Sequence, residues 1–109
     1  MKVTVRNFTG RPVTVYSDDG QCETYQPDRS HTVKAIFKMA KVGTVGPFKV
    51  QETLPTIVDG GLPDEQGDVL LLVNRAVFEA MDGRDDLICP GPSRKDSNGQ
   101  VVGCWGFSV

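Results

Sequence analysis

The chain opens on an alternation. Lys2-Val3-Thr4-Val5-Arg6 puts an apolar side chain at every second position, which predicts a strand with one dry face. Phe8-Thr9-Gly10-Arg11-Pro12 supplies turn residues, and the β-branched and aromatic Val13-Thr14-Val15-Tyr16 predicts a second strand. Ser17-Asp18-Asp19-Gly20 reads as a turn, and Gln21 to Gln26 returns as a third strand that Pro27 ends. The first 27 residues therefore read as a meander of short antiparallel strands. From His31 to Met39, Val33, Ala35, Phe37 and Met39 alternate with polar neighbours, with Ile36 as the exception. This predicts a strand carrying Lys34 and Lys38 on its wet face. Gly43 and Gly46-Pro47 interrupt the chain around Thr44-Val45, and Phe48 to Thr53 alternates again. Leu54 to Gly67, with two Pro and three Gly, reads mainly as a loop.

The second half changes character. Val69 to Val73 is a continuous apolar run, as expected of a strand buried on both faces. Asn74 stands where a helix N-cap would stand, and Arg75 to Met81 contains good helix formers with Val77, Ala80 and Met81 on one face. Gly83 is placed to end that helix. Leu87-Ile88-Cys89 predicts a short strand closed by Pro90-Gly91-Pro92. Asp96-Ser97-Asn98-Gly99 is a strong turn signal, after which Gln100 to Phe107 returns to pair with the residues before it. Gly103 and Gly106 in that last strand predict a bulge or a close approach.

Composition narrows this picture. Gly and Pro fill 19 of 109 positions, against roughly 12% in ordinary domains. Many fall at the boundaries just named. The expected fold is mainly β with one short helix, as an antiparallel sheet or partly open barrel in one domain over residues 1–109. A net charge of −2 supplies no global basic field, which speaks against extended nucleic acid as a partner. Cys22, Cys89 and Cys104 match no zinc spacing and read as free, mostly buried thiols. The start of the chain shows no secretory signal, and the longest apolar run is five residues, Val69 to Val73. A membrane span needs about 20. A soluble cytoplasmic protein with no membrane partner is the expectation.

No catalytic constellation stands out. His31 is the one histidine, and a Cys or Ser nucleophile would need it together with an orienting group. Nothing in the sequence brings Cys22, Cys89 or Cys104 to it. The acidic pairs Asp18-Asp19, Asp64-Glu65 and Asp85-Asp86 read as turn and loop groups, so neither a metal nor a cofactor is expected. The richest cluster comprises Asn74, Arg75, Arg84, Asp86, Arg94 and Trp105. Forked arginines suit phosphate or carboxylate, and Trp105 could stack on a base. Two readings follow: a pocket for a small anionic or nucleotide ligand, or Arg–Asp pairing that ties the helix to the final hairpin. Lys34, Lys38, Lys41 and Lys49 form a looser basic group around the middle hairpin.

Asn7-Phe8-Thr9, Gly61-Leu62-Pro63, Leu71-Leu72-Val73-Asn74, Arg84-Asp85-Asp86-Leu87, Pro90-Gly91-Pro92 and Gly99-x-x-Val102-Gly103-Cys104 resemble, in order and spacing, a group of small phage, prophage and bacterial proteins with no assigned activity. This chain has Asn74 where the group has Ser, and Ser93-Arg94-Lys95-Asp96 where the group has Val before an Arg-Asp pair. The resemblance implies a phage-like context. The functional expectation is then a non-enzymatic binding protein, an anti-defence inhibitor that sequesters a nucleotide signal or blocks a host defence protein. A homo-oligomer with pockets at its interface would suit so short a chain. The alternative is a structural or interaction accessory that works through strand edges or surface contacts.

Overall fold

The computed structural model describes residues 3–109, so the predicted start of the first strand at Lys2 lies outside the described residues. The elements are β1 (Thr4–Asn7), β2 (Val13–Tyr16), β3 (Cys22–Tyr25), β4 (Val33–Val45), β5 (Phe48–Gly60), β6 (Val69–Leu72), α1 (Arg75–Ala80), β7 (Leu87–Pro90), β8 (Ser93–Lys95), β9 (Val101–Trp105) and β10 (Phe107–Ser108). The fold is mainly β with a single short helix, as its residue pattern predicts, and its sheets are open rather than closed into a barrel.

Sheet one has the strand order β1-β6-β7-β10, sheet two β3-β2-β9-β8, and β4 and β5 form a separate two-stranded ribbon. Sheet one lies in the middle. Leu71, Val73, Leu87 and Cys89 join Phe8 and Val77 in one core cluster, against which Val33, Ala35, Phe78 and Met81 pack. Leu72 and Ile88 join Val13 and Cys104 in a second cluster, flanked by Val5, Val15 and Leu70. Alternate residues of β6 thus enter different cores. This is why the run Val69 to Val73 shows no polar alternation, and Leu71, Leu72 and Val73 are almost wholly buried.

The expected N-terminal meander is half right. β2 and β3 form the antiparallel hairpin, with Val13 opposite Tyr25 and Tyr16 opposite Cys22. β1 pairs instead with β6, in parallel, from Thr4 opposite Val69 to Asn7 opposite Leu72. Phe8 to Pro12 therefore carries the chain from one sheet to the other. Parallel pairing also joins β6 to β7 and β2 to β9, so both sheets are mixed. The segment β6–α1–β7 is a small βαβ unit inside a domain whose hairpins are antiparallel.

The final hairpin forms as predicted, but its second strand ends at Trp105 instead of running on to Phe107, which belongs to β10. β8 pairs with β9 around Asp96 to Gly99, with a register shift between Arg94 and Lys95. Asp96 Oδ1 accepts from the N–H groups of Asn98 and Gln100 at 2.8 and 3.0 Å. The chain changes sheets twice near here, at Gly91 before β8 and at Gly106 after β9. Gly91 donates to the Gly106 carbonyl at 3.0 Å, and a Cβ on Gly91 would sit 2.0 Å from the Trp105 carbonyl oxygen. Gly106 has φ +58°. The two corners cross in contact, where Gly91 has no room for a side chain and Gly106 supplies the left-handed turn.

Candidate functional site

The largest departure from the sequence reading is the ribbon. β4 runs unbroken from Val33 to Val45, with Val42 as the extra residue of a bulge between Lys41 and Gly43. β5 does not stop at Leu54. It passes Pro55 and continues through the β-branched Thr56-Ile57-Val58 to Gly60, so the expected loop shortens to the residues after Gly60. A proline is tolerated because each strand of a two-stranded ribbon has one edge with no neighbour to bond. Gly46, at φ +58°, makes the tip with Pro47.

This ribbon projects as an arm. Thirteen residues per strand at ~3.3 Å each span roughly 43 Å. The molecule measures 53 × 39 × 22 Å, with a radius of gyration of 16.7 Å. A compact chain of this length has about 13 Å.

Register fixes what each face of the arm carries. On one face lie Val33, Ala35, Phe37 and Met39, opposite Gly60, Ile57, Pro55 and Thr53. Its root, at Val33 and Ala35, packs on the core cluster of Phe8, Leu71 and Val77, while Phe37 and Met39 beyond it are exposed and Lys41 and Lys49 lie farther out. The other face carries Lys34, Ile36, Lys38, Ala40, Gly43 and Val45, opposite Asp59, Thr56, Leu54, Glu52, Val50 and Phe48. The expected placement of Lys34 and Lys38 on one face holds, and Ile36 shares it. No core cluster includes a residue of this second face. Phe48 is 71% exposed and Val45 67%, far above the usual burial of such side chains.

The six residues expected to form a ligand pocket are engaged at four places. Arg84 and Asp86 meet as a fork, Nε to Oδ1 at 3.0 Å and Nη2 to Oδ2 at 2.7 Å, and Nη2 also donates to the Pro63 carbonyl. The Asp86 carboxylate raises the Arg84 pKa above its ordinary value. This is the pairing alternative, although it ties the Pro63 loop, not the final hairpin, to the start of β7. Arg75 lies over the Phe78 ring and donates to Ser108 Oγ at 2.7 Å. Asn74 precedes the helix but makes no capping bond. Its side-chain amide donates to the Thr9 carbonyl instead, at 3.3 Å.

Arg94 and Trp105 do come together, on the outer face of sheet two. The Arg94 guanidinium carbon is 4.1 Å from the centre of the Tyr16 ring and 5.3 Å from that of Trp105. Gly103 opposite Arg94 leaves room for Tyr16 to lie across β9, since a Cβ there would meet the ring at 2.7 Å. This is the close approach expected of that glycine. The stack sits on an open surface. The four best-formed clefts, of about 140 to 380 Å³, take Asp86 into one lining and none of the other five residues.

Other chemistry is sparse. His31 packs edge-on to Phe8 and shares a hydrogen bond with Ser30. Cys22 is exposed, while Cys89 and Cys104 are buried, and all three are free thiols. Burial raises the Cys89 pKa, the reverse of what a nucleophilic thiolate needs. Among the described residues no three His, Cys, Asp or Glu side chains gather as metal ligands, and no helix is long and apolar enough to cross a membrane.

One residue that sequence reasoning missed is Asn7, which is 1% exposed. Its Nδ2 donates to the carbonyls of Arg11 and Tyr25, and its Oδ1 accepts from Thr9 N and Oγ1, all between 2.7 and 2.9 Å. It fixes the crossing from sheet one to sheet two.

No protein-family model, curated protein or solved structure matches this chain.

Proposed function

We propose that this is a non-enzymatic binding protein that works by contact with another protein chain, and that the β4–β5 arm is its grip. The observation that carries this reading is the arm's uncovered face, where Ile36, Val45, Phe48, Val50 and Leu54 stand in water. An isolated two-stranded ribbon is marginal in water, and exposed apolar surface of this extent marks an interaction site. In the phage-like context that the sequence suggests, the contact would block a host defence protein or serve an assembly. Capture of a small nucleotide is the weaker alternative, because Arg84 and Arg75 are already engaged within the chain and Arg94 lies on an open face.

A photo-crosslinking residue at Phe48 tests this in cells. Adducts of defined mass from position 48, absent from a control at Asn98 in the β8–β9 turn, support the reading. Position 48 giving no more adduct than position 98 rejects it.

A further inference from the structure

We infer that the partner gripped by the arm is a second copy of this chain, with the two arms packed face to face about a two-fold axis. This rests on the reading of the arm as the grip. The ground is the composition of the uncovered face. It carries Ile36, Ala40, Val45, Phe48, Val50 and Leu54, and its charges are two of each sign: Lys34 and Lys38 against Asp59 and Glu52. The remaining lysines of the arm, Lys41 and Lys49, lie on the opposite face. The arm as a whole has an excess of two positive charges, from four Lys against one Asp and one Glu, which would oppose self-association if it were spread evenly. Placed as they are, the charges leave the apolar face neutral.

That face is also self-complementary. Lys38 and Glu52 sit on diagonal positions, Lys38 opposite Leu54 and Glu52 opposite Ala40. Neither takes part in an ion pair within the described residues, where the pairs belong to Arg6 and Arg84. A two-fold axis passing between them sets each lysine against the other copy's glutamate, as an interface built from one surface used twice requires. Pairing through strand edges fits less well. The edges carry a bulge on each strand, and Pro55 lies on β5, all devices that blunt edge pairing.

The available area sets the strength. A face of roughly 43 Å by about 10 Å offers on the order of 400 Å² per copy, half of the ~800 Å² per partner of a standard interface. The dimer should therefore be weak and exchange with monomer.

Sedimentation equilibrium of the full chain from about 1 µM to 1 mM, a span chosen to bracket such an interface, tests this. The mass should rise from 11.9 kDa to twice that value. Phe48→Asp with Val50→Asp should leave a monomer at every concentration, while Met39→Ser on the other face should leave dimerisation unchanged. Lys38→Glu and Glu52→Lys should each weaken the dimer at least about tenfold, and an equimolar mixture of the two should regain it, because every contact in the mixed dimer then joins opposite charges. Near-ultraviolet dichroism of Trp105, outside the arm, checks that each variant folds. A mass fixed at 11.9 kDa, a dimer indifferent to Phe48 and Val50, or a mixture no tighter than its components overturns the inference. If the chain stays monomeric while position 48 crosslinks to a different protein, only the second copy is wrong. If position 48 gives no adduct of any kind, the arm as grip falls too.

Discussion

Arg84 and Asp86, two residues apart, close on each other through the Nε and Nη2 edge of the guanidinium and both carboxylate oxygens, with Asp86 8% exposed. The same Arg84 Nη2 reaches the Pro63 carbonyl at 2.8 Å, so one side chain ties the loop after the arm to the start of β7. Replacing Arg84 by Ala strands a mostly buried carboxylate and frees the loop. The expected loss is about 2–3 kcal/mol of unfolding free energy, below the 3–5 of a fully buried pair because the arginine keeps some contact with water. Arg84→Ala with Asp86→Ala together should cost less than Arg84→Ala alone. Urea titration of the three variants checks this, and a double variant less stable than the single would contradict it.

Asn7 answers for four hydrogen bonds in a space closed to water. Asn7→Ala takes the Asn7 partner from the Tyr25 carbonyl and the Thr9 N–H, while the Arg11 carbonyl keeps the Thr9 hydroxyl at 3.0 Å, and about 2–3 kcal/mol should be lost. Asn7→Asp keeps the shape but turns two donors into acceptors facing carbonyls, so it should be at least as damaging. Thermal melts rank the two. Asp melting above Ala would mean that the cavity, rather than the unmade bonds, sets the cost.

The strands of this fold were legible where pairing is local. The β2–β3 and β8–β9 hairpins follow from their turns, and β6 from its unbroken apolar run. The parallel partners β1–β6 and β2–β9 were not, because nothing near Thr4 or Val15 in the chain indicates strands so far along it. The arm was misread at Pro55, a residue that ends a central strand but not a ribbon with a free edge. The candidate site suffered from the opposite fault. Arginine and aspartate types were visible, yet whether Arg84 faces a ligand or Asp86 depends on side-chain geometry that spacing does not encode. Asn7 stands before turn residues, where asparagine is common on surfaces, so its burial left no mark in the sequence.

Acid should loosen the molecule at Asp28. Arg6 Nε donates to its carboxylate at 2.7 Å and Ser30 N adds a second bond, and with Arg6 the main cause they hold its pKa down to about 2. A carboxyl whose folded pKa lies below its unfolded one, near 3.9, stabilises the fold above that higher value. The contribution is lost as pH falls from about 4 through 2. Allowing for the water around both side chains, it amounts to about 1 kcal/mol. Asp28→Asn should therefore fall below the wild type at pH 6 and come closer to it at pH 2, where Asp28 is about half protonated, read as the difference in urea midpoint. A gap of equal size at both values would assign the effect to packing instead of charge.

Gly103 is the point at which β9 passes β2. A Cβ there would lie 2.6 Å from the Thr14 carbonyl oxygen and 2.7 Å from the Tyr16 ring. The ring can turn away, but the carbonyl belongs to the backbone, so β9 must shift. Only two register positions join these strands, Val15 to Cys104 and Tyr16 to Trp105, and the shift strains both. Gly103→Ala should cost about 1–3 kcal/mol by overpacking. It should also draw Tyr16 off Arg94, whose guanidinium rests 4.1 Å from the ring centre, and leave Trp105 wetter. Trp105 is the single tryptophan, so a red shift of its emission reports that movement directly. Gly67→Ala, where an added Cβ meets open space, is the control and should change stability by less than about 0.5 kcal/mol. Equal stabilities for the two variants, with emission unchanged, would show that β9 accommodates the methyl group without leaving β2.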